Sequence, residues 1–180
     1  MTKLQLLMVV LPVIFMLHDF EEIIMFRSWL DRNRHELHRR FPRFEAFLSK
    51  RGHFEYSTSA FAIGVAHEFI LLSAVSLCSI YHEAYEWWFG VFMAYFIHLF
   101  VHIAQWIIYR KYVPVIITSL LTLPYCFYTF ILFVKSSVLS FSQILLWMLI
   151  GIVFIIFSLP SAFFFMSKFN KWEKRHEVSN

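Results

Sequence analysis

Charge is scarce in this chain: only 16% of its 180 residues are Asp, Glu, Lys or Arg, against 59% hydrophobic residues that include 23 Phe. That balance excludes an ordinary soluble domain. Cysteine is scarce as well. The two present, Cys78 and Cys126, fall in different apolar runs, which excludes a disulfide framework. The 4 glycines build no glycine-rich phosphate loop, and neither a repeat nor a low-complexity tract is visible. The first apolar run has a single Lys3 ahead of it and no small-x-small cleavage site, so it reads as a retained helix and not as a signal peptide.

What is present is hydrocarbon-length apolar sequence. A bilayer crossing takes about 20 residues, and runs of that length lie at 4–26, 57–80, 87–109, 113–134 and 144–167. The expectation is therefore an all-α, integral membrane bundle of five transmembrane helices in a single domain, 1–180. Its orientation follows from the basic residues, because Lys/Arg-rich loops stay on the cytoplasmic side. Segment 27–56 carries eight of them, 110–112 two and the tail 168–180 four, leaving only Lys3 and Lys135 of the 16. Alternation through five helices then places the N terminus outside and the C terminus inside, in the inner cell membrane. The net charge of +4 needs no nucleic acid, since a negative inner leaflet attracts these residues. Within 27–56, Trp29, Leu30, Leu37, Phe41, Phe44, Phe47 and Leu48 alternate with charges around Pro42. Short amphipathic helices on the membrane surface are expected there.

Against this background the stretch His18-Asp19-Phe20-Glu21-Glu22 stands out, an imidazole and three carboxylates inside an apolar run. His18, Glu21 and Glu22 share one helix face by their i, i+3 and i+4 spacing, whereas Asp19 points about 100° away. At about 1.5 Å of rise per residue, His67 and Glu68 in the second run and His98 and His102 in the third reach compatible depths. Tyr95, Gln105 and Tyr109 continue the stripe of His98 and His102, a polar seam expected to face protein. Singly, such residues serve as interhelical hydrogen-bond partners. Seven ionisable groups at matching depth on three helices point to a functional site, because each is costly in hydrocarbon unless partnered. His82, Glu83 and Glu86 sit in a short outer loop, and His35, His38, His53 and His176 are expected to face solvent.

Imidazole and carboxylate at i, i+3 or i, i+4 are the means by which helical bundles hold Zn, Fe or Mn. His67, His98 and His102 are the expected ligands, with Glu21 or Glu22 as fourth ligand or catalytic base. His18 and Glu68 would serve as further ligands or orient the others. A divalent metal beside a carboxylate suits hydrolysis, with zinc the expected ion; two irons for oxidative chemistry are the alternative. The soluble zincin motif is absent, since Leu71 stands where the second His would be.

The HDFEE stretch resembles the signature of the HXXEE domain family, small multi-pass membrane proteins of largely unassigned activity. The resemblance implies a metal-binding membrane enzyme with His18, Glu21 and Glu22 as signature positions. A weaker similarity is to the intramembrane CAAX-protease and bacteriocin-processing family, through the order Glu21, Glu22, His67, His98. It departs at Arg27, which lies one residue further from the Glu pair than in that pattern, at Ile63 in place of Phe and at His102 in place of Asn. Taken together, a metal-dependent hydrolase acting on a lipid-like or membrane-embedded substrate is expected. Membrane lipids are its surroundings, and no oligomeric state is implied. A transporter or proton relay, with helices interrupted at Pro12, Pro124 and Pro160, is the reading from another class.

Overall fold

The computed structural model describes residues 2–177, and among them it is all-α, with no strand. Six helices follow in order: α1 Lys3–Arg40, α2 Pro42–Lys50, α3 Thr58–Tyr81, α4 Tyr85–Tyr109, α5 Ile116–Ser136 and α6 Phe141–Glu177, with a 3₁₀ turn at His53–Glu55 before α3. Four of these, α3 to α6, are long and apolar enough to cross a membrane. The architecture is that of a multi-pass membrane protein.

The first helix departs from the expected one. It does not stop near residue 26 but continues for 38 residues to Arg40, so the basic stretch is helical up to the break before Pro42. Charge interrupts a hydropathy reading but not a helix. Arg27 pairs with Asp31 at 2.9 Å and Arg40 with Glu36 at 3.0 Å, both at i, i+4 spacing, and such pairs support helix on a polar face. Lys111 adds a second cation to Glu36 at 2.7 Å. The bonds from Lys111 and Arg40 hold the Glu36 carboxyl below its ordinary range. At the other end α6 runs beyond 167 to Glu177, so the expected tail 168–180 is helix as far as it can be followed; Met1 and residues 178–180 lie outside the described residues.

His53 also departs from expectation. It is 6% exposed, stacked with Phe47 and edge-on to Tyr56 and Phe163. That burial, with the Arg51 charge nearby, pulls its imidazole below the ordinary value. The flanking Arg51 and Glu55 suggest solvent, but α6 brings Phe163 over the ring.

Aromatic packing holds the bundle at its opposite end. Trp88, Phe89, Phe92 and Phe133 are fully buried, and Trp88 stacks on Phe133 at 5.1 Å. The indole has a second role. Pro12 has no N–H to give to Met8 O, four residues back in α1, and Trp88 Nε1–H donates to that carbonyl at 3.2 Å. A buried backbone carbonyl freed in this way has to be satisfied by a donor elsewhere in the protein. Where α4 and α6 cross, a Cβ on Gly151 would stand 2.8 Å from Gly90 O and 3.0 Å from Ala94 N. Glycine there permits the close backbone approach that stabilises helix pairs in lipid.

Candidate metal centre

The HDFEE stretch sits entirely within α1, and its side chains divide between two faces. His18 and Glu21, three residues apart, turn toward α5; Asp19 and Glu22, also three apart and rotated by about 100°, turn toward a cavity between α1, α3, α4 and α6. Phe20 lies between them, 49% exposed and facing outward. The single face expected for His18, Glu21 and Glu22 is thus corrected: Glu21 and Glu22 belong to different faces, and Asp19 partners Glu22.

The Glu21 carboxylate is fully engaged. Its Oε1 accepts from Tyr112 Oη–H at 2.8 Å, and its Oε2 accepts from the Thr118 hydroxyl at 2.7 Å and the Thr118 backbone N–H at 2.9 Å. Thr118 is in the first turn of α5, where backbone N–H groups lack helical partners, so Glu21 caps one helix from another and its charge faces the positive end of the α5 dipole. The turn into α5 is itself unusual. Val115, a β-branched residue, sits at φ 71°, a conformation costing about 1–3 kcal/mol, with its side chain almost wholly buried. Because the Thr118 hydroxyl proton is given to Glu21, its oxygen faces His18 Nδ1, at 3.5 Å, as acceptor.

His18 is fully buried, and its Nε2 has no hydrogen-bond partner. Beside it stand His98 and His102 from α4, with ring centroids 5.7 and 5.3 Å from that of His18. One ligating atom from each of these three residues lies within 4.8 Å of the others. His102 Nδ1 is 3.0 Å from Gln105 Oε1. An amide oxygen only accepts, so the His102 proton is on Nδ1 and its Nε2 presents a lone pair. His98 Nε2 donates to that lone pair at 2.7 Å. A tetrahedral ion with Zn–N bonds of about 2.0–2.1 Å needs ligating nitrogens about 3.3 Å apart. The His98 and His102 Nε2 atoms, 2.7 Å apart, would separate as the His98 proton moves to Nδ1, and the donor set then fits a metal: three imidazoles, two buried and one half-buried, with His18 and His102 each oriented by a hydrogen-bonding neighbour.

His67 does not join them. Ser161 Oγ donates to Ser158 O at 2.7 Å, leaving its oxygen to accept from His67 Nε2–H at 2.8 Å. The ring is thereby committed to an α3–α6 clasp, against Phe165, and His18 occupies the place expected for it. Glu68, one residue on, faces the cavity, where Ser158 bonds one oxygen while Oε1 has no partner. Of the polar seam on α4, Tyr95, His102 and Tyr109 are buried and His98 half-buried, whereas Gln105 is exposed as a residue though bonded to His102. The residues missed by sequence reasoning are Thr118 and Tyr112 as partners of Glu21. Their only signal is a hydroxyl near the start of the fourth apolar run.

The cavity measures about 840 Å³ and is lined by His98, His102, Asp19, Glu22 and Glu68 among mainly apolar and aromatic side chains. It extends from Phe44 and Phe47 of α2 to Trp87 at the start of α4.

A long polar-centred first helix packed among membrane-length helices defines a class, small helical multi-pass membrane proteins with an interior His/carboxylate centre. The chain belongs to the HXXEE family, described as a protein of unknown function with HXXEE motif, whose model matches residues 9–129. That range contains all three clustered histidines, the carboxylates and Thr118. No curated protein and no solved structure matches the chain. The similarity to CAAX proteases finds no support; Arg27, the counterpart its pattern requires beside the Glu pair, instead binds Asp31 and the carbonyls of Phe54 and Tyr56.

Proposed function

We propose that this protein is a metal-dependent membrane hydrolase whose ion is held by His18, His98 and His102 and whose substrate is a long-chain amphiphile lodged in the adjoining cavity. The observation that carries the reading is the convergence of three imidazoles from two helices, two of them buried and one half-buried, with an unpartnered Nε2 on His18, beside a large apolar chamber. A buried imidazole nitrogen without a partner is costly, and a cation would satisfy His18 Nε2 while drawing on the two neighbouring imidazoles as further ligands. Zinc is the ion this donor set favours. It would supply Lewis acidity to the substrate oxygen.

The chain's own groups then divide the remaining work. Glu21, through Thr118, orients His18, and Gln105 orients His102. Glu22 lines the chamber and makes no hydrogen bond among the described residues, so it is the carboxylate available as base. It takes the proton from water as the oxygen attacks, and returns it to the leaving group as that bond breaks.

We place the protein in the inner cell membrane with five crossings, α1 being the first, and with the N terminus outside. Support comes from the basic segments meeting at one end of the bundle: Lys111 reaches Glu36 of α1, and Lys174 of α6 reaches Glu55. A proton relay is the second reading, favoured by the run Tyr112–Glu21–Thr118–His18.

Elemental analysis of detergent-purified protein, made without chelators, separates the two. Wild type is expected to carry about one zinc per chain, and His98→Ala and His18→Ala to carry none. Absence of metal from wild type after attempted reloading would remove the hydrolase reading and leave the relay.

A further inference from the structure

The chamber holds carboxylates that the proposed chemistry does not use. Asp19 is 3% exposed, its Oδ2 has no partner, and it lines the chamber wall. Glu68, on the facing helix α3, offers an equally unpartnered Oε1 to the same space. Every ion pair among the described residues lies elsewhere, and none involves Asp19, Glu22 or Glu68. Arg27, the nearest cation along α1, is occupied by Asp31 and two backbone carbonyls. A buried carboxylate without a counter-charge is expensive, so a cationic ligand is the natural complement.

The size of that cation can be argued. The oxygens of Asp19, Glu22 and Glu68 do not gather within the 4.8 Å that the three histidine nitrogens achieve, so they do not frame a small metal ion. Around them the wall is aromatic: Phe26 and Phe61 lie 5.0 Å apart and Phe15 and Tyr95 6.0 Å apart, and all four line the chamber. Carboxylates in a wall shared with aromatic side chains suit an organic ammonium, which is attracted by charge and by aromatic rings alike. The rest of the chamber is apolar enough for a hydrocarbon chain.

We infer that Asp19 and Glu68 bind the cationic head of a long-chain amphiphile, an ammonium group on an alkyl or acyl chain, within this chamber. The inference deepens the proposed function by naming the substrate's head chemistry. It rests on the chamber being the substrate site, not on the metal.

The test compares dodecyltrimethylammonium with dodecanol, both added to the full chain in nonionic maltoside micelles. Binding is read from tryptophan fluorescence, since Trp29 and Trp87 line the chamber. Wild type is expected to bind the ammonium about tenfold more tightly than the alcohol, equivalent to about 1.4 kcal/mol, and chelator-stripped protein to keep that preference. Asp19→Asn and Glu68→Gln should each reduce it to about twofold or less. Should Asp19→Asn not fold, Glu68→Gln carries the test alone, because Glu68 is only half-buried. Equal binding of the two probes by wild type, or an undiminished preference in Glu68→Gln, would overturn the inference. Wild type that carries no metal when purified without chelators, takes none up on reloading and still prefers the ammonium would defeat the hydrolase reading while leaving this one standing.

Discussion

The two polar faces of α1 are built from the same kinds of residue and end in opposite states. On one, Glu21 accepts three hydrogen bonds from Tyr112 and Thr118. On the other, Glu22 makes none among the described residues and Asp19 keeps an unpartnered oxygen in a buried wall. Adjacent residues, Glu21 and Glu22, thus differ in everything except chemistry. The difference lies in what packs alongside: the start of α5 presents donors, while the cavity presents space. A saturated carboxylate fixes geometry, and an unsaturated one is available to a ligand or a proton.

The sharpest way to break this comparison is to remove each carboxylate in turn. Glu21→Ala leaves the Tyr112 hydroxyl and the Thr118 N–H without an acceptor, at roughly 1–3 kcal/mol for each unsatisfied group. A loss of about 3 kcal/mol in stability is expected, read as a lowered thermal midpoint in detergent. Glu22→Ala strands no donor, so its midpoint should stay close to wild type while turnover by the proposed hydrolase is lost. Similar midpoints for the two variants would show that the two faces do not differ as described.

A gentler cut leaves both carboxylates in place. Thr118→Val removes the hydroxyl that joins His18 to Glu21 but keeps the backbone N–H bond to Glu21. The cost in stability should be about 1 kcal/mol, and zinc affinity should fall about 10–100-fold, as when an orienting partner of a ligand is lost. Asp19→Asn, on the opposite face, should leave zinc affinity unchanged. Titration with a competing zinc chelator measures both, and equal losses would mean that the faces are not independent.

Much of this was legible in the sequence, and the failures have a common physical origin. Apolar length located α3 to α6, and i, i+4 spacing put His98 and His102 on one face of α4. Spacing did not reveal rotation. Asp19 and His18 are one residue apart, about 100° of turn, and only the positions of α3 and α5 decide which pair faces which neighbour. The same ambiguity set His67 against His18: helix rise does not choose between them, and Ser161 holds His67 toward α6. Glu21 as a helix cap was invisible because its partner Thr118 is 97 positions away. Helix α1 beyond residue 26 was hidden for another reason, since a hydropathy window registers its Arg and Glu residues as loop while i, i+4 pairing stabilises them as helix.

The smallest expected effect is a pH dependence of stability at the 3₁₀ turn that holds His53. His53 lies outside the membrane-length helices, and burial holds its pKa below the ordinary 6.5. The unfolded chain therefore binds the proton more readily than the folded one, so this contribution to stability is fully present above pH 6.5 and declines as pH falls below it. Glu36 acts lower. Its carboxyl is held below the ordinary 4.5 by Lys111 and Arg40, so its contribution persists until pH drops beneath 4.5. Between those two values His53 titrates without interference from Glu36, and His53→Phe, which keeps a flat ring among Phe47, Tyr56 and Phe163, should reduce the fall in thermal midpoint across that window. Whatever slope survives in the variant belongs to other groups. A slope unchanged by His53→Phe would mean that the 53–56 turn opens to solvent before the bundle unfolds.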